Sequence, residues 1–143
     1  MREAFRGRIP KALLYHPEHN VWLRREGDEL VIGATSYGAY FAGEILAFTP
    51  KRVGAEIELG RSLGVVEVAK TLVAIHAPVS IRLTATNQDA VAQPSLINSD
   101  CYGTGWLVRG APLRWNVESE VLVEREAYAA LLRKAEPDAE IEP

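Results

Sequence analysis

The apolar residues of this chain fall in short runs that alternate with polar positions and are separated by glycine and proline. Alternation of this kind is typical of half-buried strands, and several of the runs are rich in β-branched residues. Many short strands at regular spacing predict an antiparallel barrel or sandwich. We therefore expect a mainly β fold, a flattened antiparallel barrel or sandwich with short helices and a C-terminal helix.

Turn residues mark the first predicted hairpin. Two apolar runs, within residues 13–25 and at 30–33, flank the turn signal at 26–28, which is a hairpin pattern. Later strands are predicted where the same alternation returns. They cover residues 44–49, ending before Pro50, then 51–58, 80–86 and finally 106–108, which should be the last core strand.

Short helices are predicted at two places. Thr35 is a helix N-cap residue and Gly43 a C-terminal stop, so residues 35–42 should be helical. A second helical element over 89–98 should be interrupted at Pro94.

The C-terminal region ends in helical spacing. Within residues 115–134, Tyr128, Leu131 and Leu132 lie on one predicted helix face, which should pack on the sheets. Residues 136–143 are acidic and bounded by proline, and they are predicted to be disordered.

One stretch combines strand-like composition with a central charge. Residues 63–79 are almost wholly apolar and β-branched, yet Lys70 lies near the middle, with Glu67 three residues before it. Because a lysine is almost never buried without a partner, a hairpin with Lys70 in solvent at its tip is one interpretation. The other is a single strand with one outward-facing lysine, since no strong turn dipeptide such as Asn-Gly occurs there.

Composition narrows the class of protein. The 143 residues are 48% hydrophobic, enough for one domain with a buried core. A net charge of −3 argues against binding nucleic acid through bulk charge. The single cysteine excludes an internal disulfide and fits a reducing compartment. No segment resembles a signal peptide or a membrane span. We expect a cytoplasmic protein, and a monomer because no long apolar stripe is left unassigned.

Two patterns invite a catalytic or metal-binding interpretation. His16 and His19 are three residues apart, but the other candidate ligands are only His76 and Cys101, so a complete metal site is not predicted. Packing or hydrogen bonding is the better account of His19. Ser36 lacks both a nucleophile elbow and an assured base, and we do not treat it as a nucleophile.

The lysine stretch carries a family resemblance. Residues 67–71, Glu-Val-Ala-Lys-Thr, and residues 77–80, Ala-Pro-Val-Ser, resemble the lipoyl-attachment hairpin of the glycine cleavage H-protein family. In that family the corresponding sequences are Glu-Ser-Val-Lys-Ala and then Ala-Pro-Val-Ser-Gly. The likeness continues in register over about residues 13 to 132. Its further matching positions are Tyr15, Glu18, His19, Trp22, Gly27, Asp28, Val53, Gly54, Gly60, Asn87, Pro94, Leu96, Ile97, Asn98, Asp100, Tyr102, Gly103, Gly105, Trp106 and Leu107.

The resemblance implies a division of the chain and a role for it. A lipoyl carrier domain would cover residues 13–135, after a lightly tethered arm at 1–12 and before the tail at 136–143. Lipoic acid would be attached to Lys70 by an amide, and Glu67 would be recognised by the enzyme that attaches it, or would simply keep the tip polar. That enzyme would be a lipoate ligase or a lipoyl or octanoyl transferase. The protein itself would be a carrier rather than an enzyme.

Two details refine the expected cofactor and its surroundings. Biotin carriers resemble Ala-Met-Lys-Met around their lysine, whereas the only methionine here is Met1, which favours lipoate. Cys101 stands where the family commonly has proline. Exchange of its thiol with the dithiol of the arm is conceivable, but a buried structural cysteine is the preferred interpretation.

The family contains two branches with different partners. Residues 47–54, 16–22, 67–71 and 99–102 resemble the lipoate-binding proteins of the heterodisulfide-reductase-like sulfur-oxidation system more than glycine cleavage members. We therefore expect the heterodisulfide-reductase-like complex and dihydrolipoyl dehydrogenase as partners. In the alternative, an H protein carries an aminomethyl group between glycine decarboxylase, aminomethyltransferase and dihydrolipoyl dehydrogenase. An unlipoylated adaptor of the same fold and a donor that passes its lipoyl group to other proteins also remain open.

Overall fold

The computed structural model describes residues 3–143, and its strands form three sheets. In chain order the strands are Arg6–Arg8 (β1), Leu14–His16 (β2), Val21–Glu26 (β3), Glu29–Ala34 (β4), Ala47–Pro50 (β5), Glu56–Ile57 (β6), Ser62–Glu67 (β7), Leu72–His76 (β8), Ile81–Thr86 (β9), Val108–Pro112 (β10) and Glu140–Glu142 (β11). The helices are Ser36–Ala42 (α1), Gln88–Ala92 (α2), Ser95–Ser99 (α3), Trp115–Glu118 (α4) and Arg125–Ala135 (α5), with a single 3₁₀ turn at Ser119–Val121.

Two antiparallel sheets form the body of the molecule. The larger has the strand order β2-β3-β4-β10-β9-β6, and the smaller has the order β5-β7-β8. Alternate residues of the large sheet enter two different cores, as the period of two in a strand requires. Leu23 and Ile32 pack in the core shared with Phe48 and Val66 of the small sheet. The predicted mainly β fold with antiparallel sheets, short helices and a C-terminal helix is confirmed.

A second core lies on the opposite face of the large sheet. Tyr15 and Trp22 pack there against Tyr128 of α5 and against Phe5 and Ile9 of the N-terminal segment. All five side chains are at most 1% exposed. The indole of Trp22 occupies the space over its cross-strand neighbour Gly33, where a Cβ would lie 2.6 Å from the ring. The large sheet is therefore covered on both faces.

The two ends of the chain differ from the sequence expectation. Residues 136–143 were predicted to be disordered and residues 1–12 to be a lightly tethered arm, of which 1 and 2 lie outside the described residues. Instead β1 and β11 pair in parallel, and backbone bonds from Ile9 to Glu142 and from Glu140 to Phe5 extend the pair. Burial of Phe5 and Ile9 supplies apolar stabilisation that an acidic tail lacks by itself.

Several local predictions are confirmed, and others need correction. The hairpin of β3 and β4, the helix after Thr35 and the helical break at Pro94 are present as expected. The strand predicted to end before Pro50 includes it, which an edge strand tolerates because the missing N–H faces no partner. The predicted strand at 51–58 shrinks to β6.

The C-terminal helix is shorter than the predicted region and buries a narrower face. It covers Arg125–Ala135, and Tyr128 and Leu132 are buried as expected. Leu131 was assigned to the same face but is 47% exposed, so that assignment is wrong. The last strand of the large sheet is β10, which starts at Val108 rather than at residue 106. Within residues 3–143, no helix combines the length and the apolar character that a membrane crossing needs.

Candidate functional site

The lysine stretch folds as a hairpin, and Lys70 lies at its tip. Strands β7 and β8 pair antiparallel, with Val66 opposite Val73 and Glu67 opposite Leu72. The N–H of Val68 donates to the carbonyl of Thr71 at 3.0 Å, which closes the turn and leaves Ala69 and Lys70 as its two loop residues. The interpretation with a turn at Lys70 is therefore confirmed, although the turn lacks the usual glycine or asparagine.

The hairpin is anchored at its body and open at its tip. Val66 is buried in the main core, and Val68 packs against that core from a partly buried position. Beyond them, Ala69, Lys70 and Thr71 are exposed. An amine on a four-carbon stem at such a place is directly accessible to another protein. The arrangement separates a rigid base from a reactive tip.

Glu67 lies at the end of β7, on the exposed part of the same hairpin. It sits between Leu72 of β8 and Ala47 of β5, and its carbonyl accepts a hydrogen bond from the N–H of Leu46 at 2.8 Å. Its carboxylate is exposed. The structure thus brings both sequence-predicted site residues, Glu67 and Lys70, to one end of the small sheet.

Two open grooves flank the tip. The first lies between the hairpin and the segment that joins α1 to β5, and it is lined by Ala42, Gly43, Glu44, Leu46, Val68, Ala69 and Lys70. The second lies along the turn and is lined by Glu67, Val68, Ala69, Thr71 and Leu72. Among residues 3–143, Lys70 is the only cation in either lining, whereas each groove has one carboxylate.

Asn98 positions the segment beside the first groove. Its Oδ1 accepts from the N–H of Ile45 at 2.9 Å, and its Nδ2 donates to the carbonyl of Gly43 at 2.9 Å. A side-chain amide that satisfies both a donor and an acceptor of the backbone fixes that backbone firmly. From the sequence, Asn98 is recognisable only as a position that matches the family, because its partners lie more than fifty residues away in the chain.

A small apolar cleft lies under the hairpin. It has a volume of about 70 Å³ and is lined by side chains of β8, α1 and β3, with His19 as its only titratable residue. Its walls include Val21, Ile45, Val66 and Val73. The cleft joins the hairpin to the histidines that the sequence singled out.

The three histidines form a row rather than a metal site. The His19 ring stacks on the His16 ring with centroids 4.2 Å apart, and the His76 ring lies 5.1 Å beyond. Stacked rings direct their nitrogens in parallel planes instead of toward one point. Across residues 3–143, no group of three or more potential ligands is arranged to hold a metal ion.

Burial makes the neutral form of two of these histidines favourable. The pKa of His16 is lowered by burial and then by nearby His19, and the pKa of His19 is lowered by burial and then by His76. Glu18 opposes both shifts. His76 fixes its own ring by a 2.8 Å hydrogen bond between Nδ1 and the carbonyl of Gly60.

The remaining candidates have structural surroundings. Cys101 is buried, and this burial raises the pKa of its thiol to about 12. Its carbonyl accepts from the indole N–H of Trp22 at 3.0 Å. The hydroxyl of Ser36 donates to the carbonyl of Arg8 at 2.7 Å and lies 3.1 Å from the hydroxyl of Tyr102. Neither residue is presented as a nucleophile.

The fold and the site define a class of protein: a small β-rich domain that presents one lysine on an exposed hairpin. Comparison with known proteins supports this class. A family model described as glycine cleavage H-protein matches residues 13–135. The chain belongs to the glycine cleavage H-protein family.

Individual relatives carry the same description. The glycine cleavage system H protein of Magnetococcus marinus is 36% identical over 124 residues, which is 87% of this chain and 87% of that protein. The protein of the same name from Mycobacterium avium is 42% identical over 101 residues, or 70% of this chain and 76% of its own. A crystal structure of a glycine cleavage system H protein from Mycobacterium marinum superimposes with a TM-score of 0.73 at 29% identity, covering 86% of this chain and 98% of that one.

Proposed function

We propose that the protein is a cytoplasmic lipoyl carrier whose lipoamide arm is attached to Lys70. The observation that carries this proposal is the position of Lys70 in the two-residue loop of a hairpin, within a stretch that resembles the family's attachment motif. The residues present fit the group. The amine lies in solvent, and the turn around it is anchored by Val68 to a rigid core.

Attachment requires an activated acyl donor and a separate enzyme. The Nζ of Lys70, after losing a proton, attacks the activated carbonyl of the donor, an amide bond forms, and the activating group leaves. A lipoate ligase or a lipoyl or octanoyl transferase supplies this step. When bound, the group supplies a disulfide and dithiol couple that accepts two electrons.

The rigid body contributes effective concentration rather than catalysis. A tethered arm on a compact domain presents its reactive end to each partner at a concentration set by its length. We expect no turnover from this chain alone, because Lys70 is a point of attachment. The described site presents neither an activated nucleophile nor a metal centre. The protein is then a substrate shared by several partner enzymes.

For the pathway, the relatives favour glycine cleavage. The two curated relatives and the crystal structure compared above are all described as glycine cleavage system H proteins. We therefore place the aminomethyl-carrying role first, with glycine decarboxylase, aminomethyltransferase and dihydrolipoyl dehydrogenase as partners. This reverses the order expected from the sequence, where the sulfur-oxidation branch came first.

A specific observation keeps cytoplasmic sulfur oxidation as the second candidate. The residues next to the lysine, Ala69 and Thr71, depart from the family's usual Val and Ala, and both are exposed at the tip. Exposed residues of a turn contribute little to folding, so their identity is free to follow a partner. In that role a heterodisulfide-reductase-like complex would exchange sulfur-bound intermediates with the arm.

Intact mass tests the carrier role. The protein is incubated with a lipoate ligase, lipoate and ATP, and we expect a gain of one lipoyl group. Lys70→Arg should abolish the gain, whereas Lys51→Arg, a change at another exposed lysine, should not. If the wild type gains no mass, the carrier role is wrong and an adaptor of the same fold takes its place.

Reduction of the arm distinguishes the two pathways. The lipoylated protein is mixed with glycine, glycine decarboxylase and aminomethyltransferase, without the dehydrogenase that would reoxidise the dithiol, and glycine-dependent formation of free thiols is followed. Full activity supports the glycine cleavage role. Absence of thiol formation, with an authentic H protein active in parallel, would instead favour sulfur oxidation.

Glu67 is proposed as a recognition residue of the modifying enzyme. It contributes a carboxylate close to Lys70 without being buried. Glu67→Gln keeps the side-chain shape and removes the charge. We expect slower lipoylation with an unchanged unfolding midpoint, and Glu120→Gln, at an exposed glutamate of the 3₁₀ turn that lines neither groove, provides the control. Equal rates for wild type and Glu67→Gln would leave Glu67 only its role of keeping the tip polar.

A further inference from the structure

The hairpin tip carries exposed apolar side chains on both sides of Lys70. Leu72 is 62% exposed and lines one groove, and Leu46 is 49% exposed and lines the other. Single exposed leucines are common on protein surfaces and need no explanation. Here the two exposed leucines lie in the two grooves that flank the Lys70 tip, and each groove also contains a carboxylate. We call Leu46, Leu72, Glu44 and Glu67 the collar of Lys70.

The fold gives the collar a fixed geometry. Glu67 is paired with Leu72 across β7 and β8, and directly opposed residues of neighbouring strands share a face. Leu46 is held by its hydrogen bond to the carbonyl of Glu67. Asn98 fixes the backbone of Gly43 and Ile45 on either side of Glu44. The collar is therefore preformed around the lysine.

From this geometry we infer that the collar is the docking surface of the enzyme that acylates Lys70. The inference rests on the proposed lipoyl-carrier function. It commits to one partner: an acyl-transferring enzyme with an apolar contact surface and basic residues at its rim. Those basic residues would face Glu44 and Glu67, the carboxylates that no second cation of the grooves neutralises.

The short distance between the Lys70 amine and the protein surface favours the acylating enzyme over the partners that act on the finished carrier. Before modification, only the four-carbon stem of lysine separates the amine from the protein surface. The enzyme must bring its activated carbonyl to within about 3–3.5 Å of Nζ, so its body covers the residues next to the tip. Partners that act on the finished carrier meet the end of a long arm and do not need to approach the collar so closely.

Both leucines would lose water when the enzyme docks. Apolar side chains at the centre of an interface commonly carry much of its affinity, while charged residues at the rim contribute mainly to encounter rate and orientation. The apolar pair should therefore control the efficiency of acylation, and the acidic pair its salt dependence. Such a separation would not arise if the leucines only stabilised the fold.

The test compares acylation rates of matched variants of the full-length chain. Leu72→Thr suits a strand position, and Leu46→Ser removes the other apolar contact. The control is Val117→Thr, at a 70% exposed residue of α4. Helix α4 lies beyond the base of the hairpin, where its Glu118 accepts a hydrogen bond from the N–H of Ser80. With a lipoate ligase, lipoate and ATP, we expect kcat/KM for the protein substrate to fall roughly tenfold for each collar variant. The control should match the wild type.

A second measurement separates docking from accessibility and folding. Acetylation of Lys70 by a small activated ester, followed by peptide mass analysis, should proceed at the same rate in wild type, Leu72→Thr and Leu46→Ser. Thermal unfolding should show all three folded at the assay temperature. A collar variant that is slow with the ligase and normal with the small ester supports the proposal.

Each failure has a distinct meaning. If the wild type is lipoylated and both collar variants are lipoylated at its rate, the docking surface is wrong while the carrier function stands. The same holds if the collar variants lose reactivity toward the small ester to the same degree. If the wild type gains no lipoyl group, the carrier function fails, and the docking surface with it.

Discussion

The ring of Tyr128 in the C-terminal helix stacks on the ring of Tyr15 in β2, with centroids 4.7 Å apart and only 5° between the planes. The Tyr128 hydroxyl donates to Oδ1 of Asn20 at 2.8 Å and lies 2.7 Å from Oγ1 of Thr35. One side chain thus joins the helix to the turn before β3 and to the cap of α1. The second core depends on this connection.

Removing that hydroxyl should destabilise the protein measurably. Tyr128→Phe leaves the Oδ1 of half-buried Asn20 and the hydroxyl of buried Thr35 without this partner, at a cost of about 1–2 kcal/mol in the free energy of unfolding. Urea unfolding measures the change. Tyr40→Phe, where the hydroxyl bonds the carbonyl of Glu3 in an exposed place, should cost less than about 0.5 kcal/mol. Equal effects of the two variants would contradict the role of the buried network.

The histidine row predicts a pH dependence of stability. His16 and His19 have folded-state pKa values below the ordinary 6.5, so the unfolded chain binds protons more readily. The stability that they contribute is complete above pH 6.5 and is lost as the pH falls through and below that value.

Unfolding in urea at a series of pH values from 7.5 down to about 5 tests this. We expect a falling unfolding midpoint, and a smaller fall in the variant with both His16→Gln and His19→Gln. Above pH 7.5 the dependence should be flat for these groups. A midpoint that rises on acidification over the same range, or an unchanged slope in the double variant, would exclude the row as the cause.

Deleting the last strand should loosen the N-terminal segment. A chain that stops after Pro137 lacks β11, its backbone bonds to Phe5 and Ile9, and the contact of Ile141 with the second core. We expect a loss of roughly 2–3 kcal/mol in the free energy of unfolding and faster proteolysis near β1. Glu140→Gln, which removes only the exposed ion pair with Arg6, should behave like the wild type.

The truncated chain also serves as a functional comparison. The hairpin at Lys70 belongs to a different sheet from β1 and β11. Lipoylation of the truncated protein should therefore continue at a normal rate wherever it stays folded. Slow lipoylation of a fully folded truncated chain would show that the two regions are coupled.

Cys101 should be slow to react in the folded protein. Burial raises the pKa of its thiol to about 12, and the thiolate is the reactive form. A thiol-specific chromogenic reagent at pH 8 should label it only slowly, whereas the chain in concentrated guanidinium chloride should react at once. Rapid labelling of the native protein would instead support the alternative in which the Cys101 thiol exchanges with the dithiol of the arm.

Local signals were sufficient for the elements that sequence alone located. The cap at Thr35 works as predicted because its hydroxyl accepts from the N–H of Gly38 within one turn. For Lys70, the charge required only that the lysine leave the apolar layer, which both interpretations allowed, and the resemblance to the family's attachment motif favoured the hairpin. Both features depend on neighbours in the sequence.

Pairing between distant segments was not predictable in the same way. Strands β1 and β11 are three residues each and lie at opposite ends of the chain, so neither has a detectable alternation. Leu131 lies three residues after Tyr128, near the edge of the amphipathic face, and at that position its side chain is 47% exposed.

The candidate site was predictable only at its centre. Lys70 and Glu67 follow from a motif, and their accessibility follows from their charge. Leu46 reaches the tip because β5 pairs with β7, and the role of Asn98 depends on the loop after α1. The histidine row needs the fold as well, since His76 comes from β8, His16 from β2 and His19 from the turn after β2.

The presence of a single cation among the carboxylates of the tip has an electrostatic consequence. Acylation converts the ammonium of Lys70 into a neutral amide, so the formal charge of the chain goes from −3 to −3 − 1 = −4. Glu44 and Glu67 then each line a groove in which residues 3–143 place no positively charged side chain. The finished carrier presents a negative end where the precursor presented a mixed one. An anion-exchange column run with a shallow salt gradient should therefore hold the product longer than the starting material.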